Sequence, residues 1–428
     1  MEILVYIPKQ TPRINYIFRH MCGRILGFKV KFCTKVEDFI AFEGVKFSYA
    51  KKKLGNEVFI QKFGLLDEQG INDLNFSMDL WEDVPCFFRV SSESEIPFDI
   101  FSAAFYLITR YEEYQPHVKN DVDSYPIEES LAHQHDFLKQ PVVDVWAYKL
   151  KKILEAKFPS ITFPKRRFNS HFLIAVSKAF KHRHNGFVRF VGASFRDIFQ
   201  LQIKSLFERF KTMLRFQSDP YDIYDELIGF AKENKLKLDF YFQLSNYSRY
   251  SKSISYNKRI YHKLIKSMGD YGDLGLLPGF DALHDYEILK KEIKRWESIV
   301  NRSLVKTLIK NYHLNFPDAY LNFNKLEVEK DFSMGYQKNI GFRAGTCTAF
   351  QFYDLNLEQV SGLVIQPYIL NSRVLKGIDI YEKIEELKEL RSTIKSVDGQ
   401  MNFIFENSDF ADTYSKNAIF TLMKEMKQ

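Results

Sequence analysis

From residue 168 onward the chain alternates short apolar runs with amphipathic stretches. "FLIAV", "KLKLDFYFQL", "LGLL", "SLVKTLI", "GLVIQPYIL" and "MNFIFE" have the composition of buried strands. Helical patterns fall between them, as at "KRIYHKLIKSM", "IYEKIEELKELRSTIKS", and the stretch where Tyr286, Leu289, Ile293, Trp296 and Val300 share one face. Asp219 and Pro220 read as the N-cap and first-turn pair of a helix that runs through Ala231. Alternation sustained this far restricts the fold to α/β, with a parallel sheet covered by helices, either open or closed as a barrel.

The first 160 residues read differently. Short mixed segments such as "EILVYI" and "EVFIQKF" lead into a helical run, "FDIFSAAFYLITRYEEY". A second helix, "VVDVWAYKLKKILEAKF", places Val142, Val145, Trp146, Leu150 and Leu154 on one side. "FPSITFPKRRF", with two prolines and three consecutive basic residues, reads as a linker. The division expected is a smaller mixed α/β domain over residues 1–160 and a larger one over 168–428.

The start, "MEILVYIPKQTPR", has no basic segment followed by a long apolar one. Nor does any apolar run approach the roughly 20 residues needed to span a bilayer, so the expected location is the cytoplasm. Cys22, Cys33, Cys86 and Cys347 lie far apart and read as reduced thiols. With 41 Phe, 24 Tyr and 3 Trp the chain is rich in rings, which fill cores and also stack on sugars.

Charge is concentrated. Residues 178–215 hold nine Lys or Arg against Asp197 and Glu208, which accounts for the net charge of +7. Within them, "ASFRDIFQLQIKSLFERFKTMLRF" sets Phe195, Ile198, Phe199, Ile203, Leu206, Phe210, Met213 and Leu214 at helical spacing among Arg196, Lys204, Arg209, Lys211 and Arg215. Such a helix either covers a barrel with a solvated basic face or lies at an anionic membrane surface. His182-x-His184 is a metal pair if extended, but Lys181 and Arg183 flank it and favour a solvated basic turn. Nucleic acid is not expected as a partner: the charge is local, and neither a P-loop nor G-x-G-x-x-G is present. G-x-S-x-G is absent too.

At "FDIFSAAFYLITRYEEY", "EESLAHQHDFLKQPVVDVWA", "DPYDIYDELI" and "DFSMGYQKNIGFRAGTCTAFQFYDL", the chain resembles bacterial polysaccharide deacetylase-like proteins. These carry a family-specific N-terminal domain ahead of a deformed (β/α) barrel of the NodB type. The resemblance implies metal-assisted hydrolysis of an acetyl group, which needs an Asp base, a carboxylate and histidines on a divalent ion, and an acid. The family's Asp-x-Asp-like first-strand motif falls on Ala175-Val176-Ser177. A "GLHPSY"-like strand end reads "GLLPGF", with Leu277 in the histidine's place, and an "SRQH"-like segment reads Thr307 to Lys310. "MD"-like and "WHN"-like motifs become Leu370-Asn371 and Phe405-Glu406-Asn407. What remains is scaffold, including Asp331, Tyr336, Phe342, Arg343 and Asp354, expected to line a cleft in which Asp331 or Asp354 pairs with Arg343. The resemblance therefore implies a degenerate, inactive member without a cofactor, binding surface glycan or the proteins that make it. The alternative is an active deacetylase with zinc at a relocated site drawn from His182, His184, Asp331 or Asp354.

Overall fold

The structure, a computed structural model, describes residues 1–118, 125–184, 199, 203–214, 216–309 and 314–427, the side chains of 203–206 excepted. The N-terminal part has a sheet of its own. Its strands β1 (Glu2–Tyr6), β2 (Lys29–Cys33), β3 (Val45–Ala50) and β4 (Phe59–Gln61) run parallel in the order β2-β1-β3-β4. β5 (Met78–Trp81) and β6 (Val84–Phe87) form a separate antiparallel ribbon. The helix Ile100–Ile108, "IFSAAFYLI", is buried on every side, and its cap Asp99 accepts from the N–H groups of Phe101 (3.1 Å) and Ser102 (3.0 Å).

The C-terminal part is built on one nine-stranded sheet. β7 (Asn169–Val176), β8 (Leu238–Phe242), β9 (Leu274–Leu276), β10 (Lys306–Thr307), β11 (Lys330–Asp331) and β13 (Gln359–Ile365) follow one another in parallel. β12 (Phe350–Asp354) closes that edge antiparallel to β13. On the other side of β7 lie β15 (Gln400–Glu406) and β14 (Leu370–Asn371), both parallel to it in sense. Leu173, Tyr241, Leu277, Leu308, Phe332 and Ile404, from six segments of this sheet, meet in one buried cluster, so the sheet curls around a common interior. The edge strands β12 and β14 do not pair with each other, so the barrel is a deformed, open one. Gly275 is required here, because a Cβ would stand 2.4 Å from the Tyr241 ring and 2.9 Å from the Lys306 carbonyl.

One expected helix start moves. The helix begins at Tyr224, and Asp219 caps something else: it accepts from the backbone N–H groups of Lys181 (2.7 Å), His182 (2.8 Å), Arg183 (2.8 Å) and Tyr221 (3.0 Å). A carboxylate in a ring of amides fixes the loop that follows β7.

Candidate functional site

In open or closed parallel sheets the strands' carboxyl ends form the natural ligand site. Two cavities lie there. The first, about 450 Å³, sits over the ends of β7, β8 and β15 and is walled by Ser177, Lys178, Tyr221, Gln243, Tyr250 and Asn407, among others. The second, about 310 Å³, sits beyond β10, β11 and β13 and is walled by Ile309, Ser333, Tyr336, Arg343 and Tyr368 together with Tyr125 of the N-terminal part.

Between these cavities the barrel interior is apolar. Ala175 and Leu277 are 1% and 0% exposed and pack with Leu308, Phe332, Tyr368 and Ile404. The positions where the resemblance asks for a base and a metal-binding histidine thus lie in a buried apolar layer. Only Ser177, two residues past Ala175, faces a cavity. Lys310 lies outside the described residues. Among the described residues no group of three or more His, Cys, Asp or Glu side chains could hold a metal ion, so the described residues do not supply the ligand set that the resemblance implies.

The retained scaffold mostly joins the two halves of the molecule. Arg343 is buried and donates from Nε and Nη2 to the two carboxylate oxygens of Glu113 at 2.8 and 2.6 Å. This corrects the expected pairing: Asp331 and Asp354 leave Arg343 to an acid of the N-terminal part. Arg110 donates to the same carboxylate at 2.7 Å and to Glu112 at 2.5 Å. Burial pushes the Glu113 carboxyl up, but the two guanidinium groups outweigh it and hold it down to about 2. The "RYEEY" run, two acids and an arginine directly after the apolar helix Ile100–Ile108, was the available signal for this network. Phe342 is not a cleft residue either; it is buried, with its N–H donating to the Leu138 carbonyl at 2.8 Å. Thr346 and the Cys347 N–H bind Asp144 at 2.6 and 2.9 Å.

Of the five expected cleft residues, Arg343 and Tyr336 line the second cavity. Asp331 lies beneath it, fully buried, accepting from Ser333 N–H and Oγ (2.8 Å each) and Thr307 Oγ1 (2.9 Å). Burial pushes its carboxyl up to about 6 against those hydrogen bonds. Asp354 caps the turn after β12 by accepting from Asn356 N–H at 2.9 Å.

His182 is buried rather than on a solvated turn, its Nε2 3.1 Å from Glu208. His184 has a left-handed backbone and sets its ring edge-on to Phe180, so the two imidazoles serve separate contacts. Arg196, Arg215 and the Lys204 side chain lie outside the described residues. The helix Ile203–Met213 is turned the opposite way to a barrel-covering helix. Arg209 and Thr212 are buried, whereas Phe207, Phe210 and Met213, with Leu214 and Phe216 beyond its end, are exposed, as is Lys211. No helix among the described residues is long and apolar enough to cross a membrane.

Two groupings were missed in the sequence. Below the apolar layer, Lys306 Nζ lies 2.7 Å from Asp239 and 2.5 Å from Asp273, and His171 Nε2 lies 3.2 Å from Asp239. The other is the cationic wall of the first cavity, Lys178, Arg249 and Lys252. Lys178 donates to the Lys181 carbonyl at 2.7 Å; burial chiefly, with the positive charges of Arg209, Lys181 and Lys252, brings its ammonium down to about 8, although Asp219 opposes the shift.

A family model described only as a family of unknown function, DUF7033, matches residues 3–159. No curated protein matches the chain. Among solved structures, a polysaccharide deacetylase from Mycobacterium smegmatis is similar at 11% identity, over 61% of this chain and 85% of that one, with a TM-score of 0.40. One from Pseudomonas aeruginosa PAO1 matches at 8% identity over 60% and 84%, with a TM-score of 0.38. A mutant of a CE4 family pseudoenzyme with restored enzymatic activity matches at 9% identity over 61% and 62%, with a TM-score of 0.29.

Proposed function

We propose that this chain has the barrel of the carbohydrate deacetylases it resembles without their turnover, and serves surface-glycan metabolism in the cytoplasm by binding a glycan, or a protein that builds one, at the barrel mouth. The observation that carries this reading is the apolar layer of Ala175, Leu277, Leu308 and Phe332 at the level where metal-assisted hydrolysis needs its base and ligands. The alternative, a relocated metal site, needs at least three ligands about 2.0–2.2 Å from one ion. His182, Asp331 and Asp354 instead hold Glu208, Ser333 with Thr307, and a turn. Metal content settles the choice: after incubation with Zn²⁺, Co²⁺ or Mn²⁺ and dialysis, mass spectrometry should find only trace metal. A stoichiometric ion lost on mutating Asp331 or His182 would overturn the reading.

The reversed helix Ile203–Met213 favours a second property, peripheral contact with an anionic membrane. Phe207, Phe210 and Met213 face outward within the segment that carries the chain's whole net charge. Vesicles containing phosphatidylserine should co-sediment the protein at low salt, and F207S/F210S should abolish this. Equal recovery with pure phosphatidylcholine, or none with either, would overturn it.

A further inference from the structure

The first cavity has a charge opposite to that of a metal site. The resemblance places acids at the end of β7; here the strand delivers Lys178 to the cavity, and the loop after β8 adds Arg249 and Lys252. No carboxylate among the described residues forms an ion pair with any of the three. Glu406 is the one acid in the described wall, so the three cations leave it net positive. Lys178 is held in place: the Asn407 side-chain amide donates to its carbonyl at 3.0 Å, and its ammonium reaches the Lys181 carbonyl. A largely buried ammonium that Asp219 only partly offsets is costly to keep, and an arriving anion would reduce that cost.

Aromatic rings line the same cavity. Tyr250 and Phe280 have ring centroids 4.3 Å apart, Tyr250 is 60% exposed, and the Arg249 guanidinium lies 5.9 Å from its ring. The Lys178 ammonium is 6.0 Å from the Tyr221 ring. Rings beside cations suit a ligand with an apolar ring face and a negative substituent. A cavity of about 450 Å³ is the size used for small-molecule ligands.

We infer that this cavity binds an anionic sugar, a pyranose carrying a carboxylate or a phosphate, with the ring on Tyr250 and Phe280 and the anion among Lys178, Arg249 and Lys252. Binding rests on the proposed reading of the barrel mouth as a site without turnover and names the ligand class that it takes. The shared chemistry is the anion on a sugar ring; a uronic acid and a sugar phosphate are its two sources.

The test is calorimetric titration of the full chain at low salt with glucuronate, glucose 6-phosphate, methyl glucoside and inorganic phosphate. At least one anionic sugar should bind tenfold or more tightly than methyl glucoside and than inorganic phosphate, and which one binds identifies the source. K178M should weaken it at least tenfold. R249A/K252A, at two exposed positions whose loss does not threaten folding, should do the same. Y250A should bring the sugar anion down to the affinity of inorganic phosphate. Because Lys178 faces Asp219, Arg209, Lys181 and Lys252, with Tyr221 and Glu406 across the cavity, affinity for glucuronate should fall as pH rises through about 8 in the native chain and stay flat in K178M. Equal binding of methyl glucoside, equal binding of inorganic phosphate, or full affinity in both variants would overturn the inference. Acetate release from N-acetylated chito-oligosaccharides is read separately: its appearance would sink the proposed loss of turnover, whereas a neutral glycan that binds without hydrolysis and without anion preference would sink only this inference.

Discussion

The base and the mouth of the same barrel treat acids in opposite ways. At the base Asp239 is fully buried, yet Lys306 and His171 stand against it; burial pushes its carboxyl up, and those two partners overcome this and leave it below the usual range. One pleat higher the interior is apolar, and the carboxyls that remain nearby, Asp331 and Glu292, are pushed up by burial to about 6 and about 7, against hydrogen bonds and, for Glu292, the weaker pull of Arg295. Phe332 joins the two layers, with the Lys306 ammonium 5.9 Å from its ring and the ring itself in the apolar cluster. Buried charge is kept where each ion has a partner. Replacing a buried ion pair by well-packed hydrophobes is often neutral or stabilising, and the interior above the base is packed with Leu and Phe.

Restoring an acid to each position of the first-strand motif should break the comparison most sharply. Ala175→Asp places a carboxylate among Leu173, Leu277 and Ile404 and should cost about 5 kcal/mol at pH 8, since burial without a partner raises a carboxyl by several pH units. Ser177→Asp points into the first cavity beside Lys178 and should stay within about 1 kcal/mol of the parent. Urea denaturation of both variants decides it; equal stability would mean that the layer at Ala175 is not dry. At the base, Lys306→Met should cost about 4 kcal/mol by leaving Asp239 with His171 alone, and a loss under about 1 kcal/mol would show the base to be as indifferent to charge as the mouth.

How much of this could be read from the chain varies with the kind of signal. The parallel sheet was legible because "FLIAV", "LDFYF" and "MNFIFE" are continuous apolar runs, as strands buried on both faces must be. "SLVKTLI" and "LGLL" yielded only Lys306–Thr307 and Leu274–Leu276, since a strand's length depends on neighbours that propensity does not see. Ala175 and Leu277 were singled out only through resemblance, and what the structure adds is their place in the apolar layer. The partner of Arg343 was not: Glu113 is 230 residues away, and nothing local in "GFRAG" distinguishes a guanidinium that faces a cleft from one that bolts two halves together. His182 was misread for a related reason, because a short run of basic residues predicts solvent unless a carboxylate such as Asp219 folds the loop inward.

The mouth's own acid offers the smallest test and the one most specific to pH. Glu292, on the buried face of the helix Tyr286–Val300, accepts from the Gly279 N–H at 2.9 Å just behind the first cavity. Burial pushes it up to about 7, while that hydrogen bond and Arg295 pull the other way. A carboxyl raised in the folded state favours folding in its protonated form. Its contribution is therefore complete below the unfolded value of 4.5 and is lost as pH rises through about 7, a fall of about 3 kcal/mol. Glu292→Gln keeps an oxygen for the Gly279 N–H and removes the ionisation. The variant should match the parent at pH 4.5 and exceed it by up to about 3 kcal/mol at pH 8. Asp239 predicts the reverse at the base: lowered in the folded state, it stabilises above the usual aspartate range and is lost as pH falls through its folded value, so the two ends of one barrel should pull the pH–stability curve in opposite directions. If Glu292→Gln gains nothing at pH 8, a cation or water already reaches the carboxyl, and the mouth is wetter than its packing implies.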